Sequence, residues 1–184
     1  MRIVGGSHRG TSLVAPRGDR TRPTTDRMRE TVFNIIAHRH GEALRDGRVL
    51  DLFAGSGALG LEALSRGASF ALFVETATEA RAAIRRNVEA LGALGRTRVW
   101  RRDATKPGPC PVAPFTLVFC DPPYGHGLGE AALAAVADAG WLAPGAIAVL
   151  EERADRLPEE IRGFERLDQR TIGDSAIAIF ALVG

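Results

Sequence analysis

Residues 48–66 read RVLDLFAGSGALGLEALSR, and this stretch decides the fold. A short apolar run leads into a loop with glycine at positions 55, 57 and 60, and a helix-forming segment follows directly. Glycines at this spacing allow a tight turn and a close approach of the backbone to a ligand, while the following helix offers free N–H groups. The stretch predicts a strand over 48–54, a ligand-binding loop and a helix over 57–66.

The segments on the C-terminal side of this stretch alternate between apolar, strand-like runs and helical runs. We predict strands over 70–75, 98–102, 115–121 and 146–152, and helices over 78–92 and 129–139. Near-continuous apolar strands between helices indicate a parallel sheet that is covered on both faces. Residues 164–183 read as two further strands joined at Gly173-Asp174, a turn signal that predicts an antiparallel hairpin at one edge.

The N-terminal part has a different pattern. Two short β-like runs, 2–5 and 11–15, lie on either side of a Gly-rich turn and predict a hairpin. A helix is predicted over 26–39, because apolar residues recur at helical spacing. These apolar residues are Met28, Val32, Ile35 and Ile36. We therefore divide the chain into an N-terminal part, residues 1–46, and an α/β part, residues 47–184.

Positive charge is concentrated near the N-terminus. The formal net charge of the chain is +2, but residues 1–29 contain seven arginines against two aspartates, a balance of +5. Arginine binds phosphate as a planar fork and stacks on bases. We predict an arm that binds a polyanion, and the alternative interpretation is a basic arm that is only solvated. The candidate contacts are Arg9, Arg17, Arg20, Arg22 and Arg27.

The composition favours a globular α/β domain in a reducing compartment. Of the 184 residues, 45% are hydrophobic and 25% charged, which is ordinary for a protein with a substantial core. No apolar run reaches the roughly 18 residues of a membrane span, and we expect neither export nor a membrane partner. The two cysteines, Cys110 and Cys120, form no disulfide framework or CxxC motif, and the four histidines have no metal-ligand spacing. We expect a cytoplasmic monomer without a bound metal.

Three acidic residues come at the carboxyl ends of successive predicted strands. They are Asp51, Glu75 and Asp103, and ligands of open α/β sheets bind at those ends. Glu75 follows Gly55 by twenty residues, a spacing that suits hydrogen bonds from ribose hydroxyls and is also found in nicotinamide-dependent dehydrogenases. Asp51 would suit an ammonium group and Asp103 an adenine amino group, so the set favours S-adenosylmethionine over a nicotinamide dinucleotide.

The fourth strand of the α/β part ends in a turn that suits a hydrogen-bond donor. Residues 115–127 read FTLVFCDPPYGHG. The two prolines fix the backbone and remove two N–H donors, so the turn presents carbonyl oxygens and the carboxylate of Asp121. An exocyclic amine of a nucleobase is such a donor, and Tyr124 would stack on the base. The candidate catalytic residues are Asp121, Pro122, Pro123 and Tyr124.

These motifs resemble class I S-adenosylmethionine-dependent methyltransferases that act on exocyclic amines. RIVGGSHRG (2–10), RPTTDRMRETVFNII (22–36) and DLFAGSGALGLEALSRGA (51–68) are similar to the bacterial 16S ribosomal RNA guanine-N2 methyltransferase family. The resemblance implies a Rossmann-like, seven-stranded and mostly parallel sheet, an N-terminal hairpin that contacts RNA, and 16S rRNA in a small-subunit particle as partner. The candidate cofactor-binding residues are Asp51, Phe53, Ala54, Gly55, Gly57, Glu75, Asp103 and Ala104.

The sequence departs from the pattern of that family at one position and leaves other functions open. Ala77 stands where relatives often carry a polar residue two positions after the glutamate, so we expect fewer side-chain contacts with the cofactor there. The family also accepts phenylalanine at the position of Tyr124, which suggests that its hydroxyl is dispensable. Because the Asp-Pro-Pro-Tyr turn suits any flat aryl amine, adenine-N6 methylation of DNA or RNA is an alternative. A non-catalytic RNA-binding assembly factor is another.

Overall fold

The computed structural model describes residues 1–17 and 25–184. Its α/β part contains seven strands in a single sheet. In chain order they are β1 (Arg48–Leu52), β2 (Phe70–Val74), β3 (Thr97–Trp100), β4 (Phe115–Cys120), β5 (Leu142–Arg153), β6 (Phe164–Ile172) and β7 (Ser175–Leu182). Their spatial order is β3-β2-β1-β4-β5-β7-β6. Strands β1 to β5 pair in parallel, and β7 pairs antiparallel with both β5 and β6, so the predicted fold class is confirmed.

Five helices accompany the sheet within the described residues. They are α1 (Asp26–Arg39), α2 (Gly41–Leu44), α3 (Ala58–Ser65), α4 (Thr78–Ala90) and α5 (Leu128–Asp138). Thr25 caps α1 by accepting a hydrogen bond from the backbone N–H of Met28 at 3.1 Å. None of the helices in this part of the chain is long and apolar enough to cross a membrane.

Alternate strand residues pack into two hydrophobic clusters, one on each face of the sheet. Helices α1, α3 and α4 contribute to the cluster that contains Phe33, Leu61 and Ile84. Helix α5 contributes Leu133 and Val136 to the cluster on the other face. The ring of Phe33 in α1 lies 5.2 Å from that of Phe119 in β4, so the N-terminal helix shares the core of the α/β part.

The N-terminal hairpin is less regular than the sequence predicts. Its two runs are antiparallel, but they form one isolated bridge, between Arg2 and Ser12, instead of two regular strands. The physical reason is that neighbouring backbone groups bond to helix side chains. The N–H groups of Val4 and Gly5 donate to the two carboxylate oxygens of Glu62 in α3, at 3.0 and 2.9 Å.

Two further buried side chains hold the N-terminal segment against the α/β part. Ser65 of α3 donates from its hydroxyl to the Gly5 carbonyl at 2.6 Å. The amide of Asn87 in α4 accepts from the N–H of Val14 at 2.8 Å and donates to the carbonyl of the same residue at 2.9 Å. Because Glu62, Ser65 and Asn87 are all buried, these bonds have no competition from water.

The short helix α2 was not predicted, and several strands differ from the prediction at their ends. Strand β1 ends at Leu52, two residues before the predicted end, because Phe53 has a left-handed backbone with φ of 55°. Strand β5 begins at Leu142, four residues before the predicted start, because Leu142 already pairs with Phe115 of β4.

Removal of the Glu62 carboxylate should detach the N-terminal hairpin. Glu62 is fully buried and accepts from two backbone amides and from Arg66 Nε at 2.9 Å. Glu62→Ala leaves these donors buried without an acceptor, so we expect the free energy of unfolding to fall by about 3 kcal/mol. Urea denaturation measures this loss, and limited proteolysis should show faster cleavage near the N-terminus.

Glu89→Ala is the matched control for this variant, because Glu89 is an exposed glutamate of α4. We expect it to change the free energy of unfolding by less than about 0.5 kcal/mol. Equal losses in the two variants would contradict the role assigned to Glu62.

Candidate active site

The carboxyl ends of four parallel strands bring the predicted acidic residues to one edge of the sheet. Asp51 lies in β1, Glu75 directly follows β2, Asp103 lies three residues after β3, and Asp121 directly follows β4. The chain leaves β1 in one direction toward β2, and β4 lies on the other side of β1. Such a reversal of strand order opens a crevice in which α/β proteins bind ligands.

The glycine loop between β1 and α3 has two kinds of glycine. Gly55 and Gly57 adopt positive φ values of 58° and 79°, and a Cβ added at Gly55 would meet no atom within 4 Å. At Gly60 an added Cβ would lie 2.5 Å from the Phe73 ring. Gly55 therefore faces open space that a ligand can enter, whereas Gly60 is needed for close packing of α3 on the sheet.

Phe53 and Ala54 form the first part of this loop. Phe53 is one of two non-glycine residues with positive φ among those described, at 55°. This conformation is unfavourable for an aromatic residue, and such residues concentrate at functional sites. The Ala54 carbonyl accepts a hydrogen bond from the Gly57 N–H at 2.8 Å, which closes the turn before α3.

Asp51 lies beneath the loop. Its side chain is buried, and Oδ2 accepts a hydrogen bond from the Gly60 N–H at 3.0 Å. Burial raises the pKa of Asp51 to about 8, although the Gly60 bond opposes this shift. The carboxyl group is thus mainly protonated at neutral pH. Its contact with the ammonium group of a ligand stays a prediction.

Glu75 joins the glycine loop to the start of α4. Oε1 accepts from the Gly55 N–H at 3.0 Å, and Oε2 accepts from the Ala77 N–H at 2.8 Å. Ala77 therefore acts through its backbone, as its apolar side chain suggested. The carboxylate is held at the open side of the loop, and each oxygen keeps a lone pair for a further hydrogen bond.

Asp103 and Ala104 form the end of the crevice that lies nearest to β3. Asp103 is exposed, and its Oδ1 accepts from the N–H and hydroxyl of Thr105 at 2.9 and 2.7 Å. These hydrogen bonds from Thr105 lower the pKa of Asp103, so it is an anion at neutral pH. The side chain of Ala104 is buried in the core.

Among residues 1–17 and 25–184, no cluster of metal-ligating side chains is present.

The Asp121 turn is fixed by close packing against α5. Pro122 is buried and Pro123 is exposed. A Cβ added at Gly129 would lie 2.4 Å from Leu150 Cδ1 and 3.2 Å from Pro122 Cγ, so only glycine allows α5 to approach the turn this closely. The turn is consequently rigid at the residue that follows Asp121.

Tyr124 makes contacts that the sequence analysis missed. Its hydroxyl donates to Glu151 Oε1 at 2.7 Å and lies 3.1 Å from Ser175 Oγ. Glu151 and Ser175 are buried in β5 and β7. These bonds fix the ring, so we no longer expect the hydroxyl to be dispensable. The sequence did contain a signal for this contact, because Glu151 is an acidic residue near the end of a buried strand, as Asp51 and Glu75 are.

Asn87 connects the N-terminal segment to the glycine loop. Besides its two bonds to Val14, its Nδ2 donates to the Ser56 carbonyl at 2.9 Å. Ser56 lies between the two glycines that shape the loop. A single buried amide therefore bonds to both segments that are predicted to contact RNA and cofactor.

The structure describes three of the five predicted arginine contacts. Arg9, Arg17 and Arg27 are exposed. Arg20 and Arg22 lie outside the described residues. Arg29, which contributed to the charge count of residues 1–29, is fully buried; its Nη2 donates to the Arg2 carbonyl and pairs with Asp26. The arm therefore presents less positive charge to a ligand than the sequence suggested.

A family model and two named proteins are similar to most of this chain. The family model described as conserved hypothetical protein 95 matches residues 1–181. Ribosomal RNA small subunit methyltransferase D of Escherichia coli (strain K12) is 41% identical over 155 residues, which are 84% of this chain and 76% of the relative. The protein of that name from Haemophilus influenzae is 31% identical over 177 residues, 94% of this chain and 89% of the relative.

A solved structure of a related protein is also similar to this chain over nearly its whole length. It is an Escherichia coli protein described as a methyltransferase, yhhF, and it matches with a TM-score of 0.83 and 36% identity. The match covers 99% of this chain and 97% of that chain.

Burial and the Glu151 carboxylate together should keep Tyr124 protonated. Burial and the hydrogen bond to Glu151 raise the pKa of Tyr124 well above its ordinary value of about 10. Tyr124 is the only tyrosine of the chain, so the ultraviolet absorbance of phenolate reports on this one group. In the wild-type protein we expect phenolate only when alkali unfolds the chain. In Glu151→Gln, which keeps the shape and the burial but removes the anion, phenolate should form at a lower pH than in the wild type.

Ser175→Ala is the control for this titration. The hydrogen bond with Ser175 lowers the pKa of Tyr124, so its removal should not favour phenolate. A folded wild-type protein that forms phenolate near pH 10 would contradict the contacts described here.

Proposed function

The chain belongs to the family of conserved hypothetical protein 95, which includes the ribosomal RNA small subunit methyltransferase D proteins, and on this premise we propose that it methylates ribosomal RNA. More closely, we propose transfer of a methyl group from S-adenosylmethionine to N2 of a guanine in 16S rRNA. The observation that carries the proposal is the rigid Asp121-Pro122-Pro123-Tyr124 turn, which lies at the carboxyl end of β4 beside the glycine loop.

The residues around the glycine loop fit S-adenosylmethionine. Gly55 faces open space, and the Glu75 carboxylate beside it suits two ribose hydroxyls. The anionic Asp103 suits the amino group of an adenine. Asp51, beneath the loop, suits a cationic ammonium group because its charge is costly without one. When bound, S-adenosylmethionine supplies a methyl group that is electrophilic because it is attached to a sulfonium.

The catalytic turn would hold the amine of the substrate in a reactive geometry. An aryl amine is a weak nucleophile because its lone pair is delocalised into the ring. Hydrogen bonds from the amine to the Asp121 carboxylate and the Pro122 carbonyl favour a pyramidal nitrogen whose lone pair is free to attack. Alignment of this kind lowers the barrier, and Asp121 stabilises the positive charge that develops on nitrogen.

Two further features of the proposed reaction are stacking of the base on Tyr124 and loss of a proton from the methylated nitrogen. The Tyr124 ring, fixed by Glu151 and Ser175, would stack on the base, an interaction worth about 1–3 kcal/mol. After transfer, the methylated nitrogen carries a positive charge and is acidic enough to lose its proton without a strong base.

The proposal of guanine as the target base, and of the small ribosomal subunit as the substrate particle, rests on the family resemblance. The turn accommodates any flat aryl amine, whereas guanine N2 and 16S rRNA come from the resemblance of 2–10, 22–36 and 51–68 to the guanine-N2 methyltransferases. We propose that residues 1–46 contact RNA and that residues 47–184 bind the cofactor and catalyse the transfer. We also propose that the enzyme acts in the cytoplasm, as a monomer, on a small-subunit particle.

Removal of the Asp121 carboxylate should slow methyl transfer severely but leave cofactor binding intact. We expect Asp121→Ala to lower the rate of transfer by about 100-fold or more, the usual effect of losing a group that stabilises transition-state charge. Methyl transfer to small subunits from a strain that lacks the enzyme measures the rate, and calorimetry measures S-adenosylmethionine binding. Asp155→Ala is a suitable control because that aspartate is exposed and pairs with Arg153.

Mass spectrometry of the nucleosides from the same reaction identifies the modified base. N2-methylguanosine supports the proposed function, and N6-methyladenosine would replace it with the alternative. A normal rate in Asp121→Ala would show that the chemistry assigned to the turn is wrong.

Binding of S-adenosylmethionine should release a proton from Asp51. In the free protein the pKa of Asp51 is raised to about 8, so the folded state holds a proton between about pH 4 and pH 8 that the unfolded chain does not hold. A cationic ammonium group close to Asp51 favours the anion and lowers this pKa. At pH 7 we therefore expect Asp51 to release about one proton for each ligand that binds.

Calorimetry in buffers of different ionisation enthalpy counts the released protons. Asp51→Asn keeps an acceptor for the Gly60 N–H but has no proton to release, so its binding enthalpy should not depend on the buffer. A wild-type protein that releases no proton would place the ammonium group away from Asp51.

A further inference from the structure

A second basic surface lies at the β3 end of the sheet. Residues 81–106 contain eight basic residues against two acidic ones, a balance of +6 that exceeds the balance of the N-terminal arm. This segment includes most of α4, all of β3 and the start of the loop after β3. The net charge of the whole chain conceals this surface, because the acidic residues lie elsewhere.

Three arginines of this segment have structural roles. Arg81 donates to the Thr76 carbonyl at 2.6 Å, and Arg96 donates to the Ala68 carbonyl at 3.3 Å. The guanidinium of Arg102 lies 4.6 Å from the centre of the Trp100 ring and donates to the Pro107 carbonyl. These side chains are held by the fold and are less available to a ligand.

Four other arginines are exposed and have no hydrogen-bond or ion-pair partner for their side chains within residues 1–17 and 25–184. We call them the basic edge: Arg85, Arg86, Arg98 and Arg101. Four exposed arginines on other parts of the described surface have acidic partners and offer a comparison. These pairs are Arg39 with Asp168, Arg153 with Asp155, Arg162 with Asp138, and Arg170 with Asp168.

The fold brings the four arginines toward the β3 edge from both faces of the sheet, because Arg98 pairs with Leu72 on the face opposite α4. Strand β3 pairs only with β2 and forms one edge of the sheet. Arg98 is the exposed residue of that strand, and Arg101 directly follows it. Helix α4, which carries Arg85 and Arg86, leads into β3 through a short connection. The exposed guanidinium groups at this edge repel one another unless an anion is present.

The basic edge adjoins the N-terminal arm. Asn87 directly follows Arg86 in α4, and its amide bonds to the backbone of Val14 at 2.8 and 2.9 Å. The arm therefore passes over α4 three residues before Arg17, one of its exposed arginines. The Asn87 contact therefore brings the N-terminal segment next to the helix that carries Arg85 and Arg86.

We propose that Arg85, Arg86, Arg98 and Arg101 form a second contact surface for the phosphate backbone of the RNA substrate. This inference rests on the proposed function. Strand β3 lies three inter-strand spacings from β4, roughly 14 Å, so an RNA whose target base enters the crevice at β4 would extend toward this surface. The guanidinium forks would contact phosphates and not base edges, so they would add affinity and fix orientation without reading sequence.

Replacement of the four arginines should flatten the salt dependence of RNA binding. The edge variant carries Arg85→Gln, Arg86→Gln, Arg98→Gln and Arg101→Gln. The control variant carries Arg39→Gln, Arg153→Gln, Arg162→Gln and Arg170→Gln, which removes the same charge from arginines that already have partners. Both variants are titrated with a 16S rRNA transcript at several salt concentrations, and thermal unfolding checks that both are folded.

Each lost phosphate contact reduces the slope of log K against log salt by about 0.7 to 0.9. We expect the slope of the edge variant to fall by about 3 relative to the wild type, and the control variant to keep the wild-type slope. Equal slopes in the two variants would overturn the proposal, because only net charge would then matter.

The wild-type protein separates this inference from the proposed function. If the wild type transfers no methyl group to rRNA, the proposed function fails. If it transfers the methyl group but the edge variant keeps the wild-type slope, only the basic edge is refuted.

Discussion

The hydrogen bond between the Gly60 N–H and the Asp51 carboxyl group determines where α3 lies on the sheet. It is possible because Gly60 has no side chain, so the helix approaches Phe73 and β1 closely. The bond is buried, where water does not compete with it. It sets the path of the glycine loop above Asp51. It also sets the position of Glu62 and Ser65, the α3 side chains that bind the N-terminal hairpin. The cofactor loop and the hairpin therefore depend on the same contact.

Asn87 adds a second connection between these two parts. Its amide satisfies both backbone groups of Val14 and the Ser56 carbonyl, so a shift of the hairpin over α4 would leave buried polar groups without partners. Such a loss costs about 1–3 kcal/mol for each group. The hairpin is consequently held against the helix beside the glycine loop, and RNA bound to the hairpin would be held at a fixed distance from the crevice.

The sequence predicted those features that depend on short-range patterns. The glycine spacing predicted the loop. The acidic residues at strand ends predicted which edge of the sheet carries the candidate site, because parallel strands end on the same side. The sequence did not predict the hairpin partners of Glu62 and Asn87, since Val4, Gly5 and Val14 are 57 to 73 residues away from them along the chain. Arg29 was counted with the basic arm from composition alone; its spacing of four and seven residues from the buried Phe33 and Ile36 distinguishes it from Arg27, and the structure shows that it is buried. Glu151 carried the same signal as the other strand-end acids, but its role required the position of Tyr124.

In the proposed function, the Asp121 turn and the proposed RNA surfaces would each contribute a different part of substrate recognition. A carboxylate and a proline carbonyl accept hydrogen bonds from any exocyclic amine, and an aromatic ring stacks on any base. The turn would therefore select a kind of chemical group but not a nucleotide. Arginine contacts to phosphate fix the register of an RNA without reading its bases. If both the arm and the basic edge hold the RNA backbone, the shape of the RNA between them decides which base reaches Asp121. Selection of the target would then depend on the rigid spacing between these surfaces and the crevice, and that spacing is maintained by the buried contacts of α3 and α4.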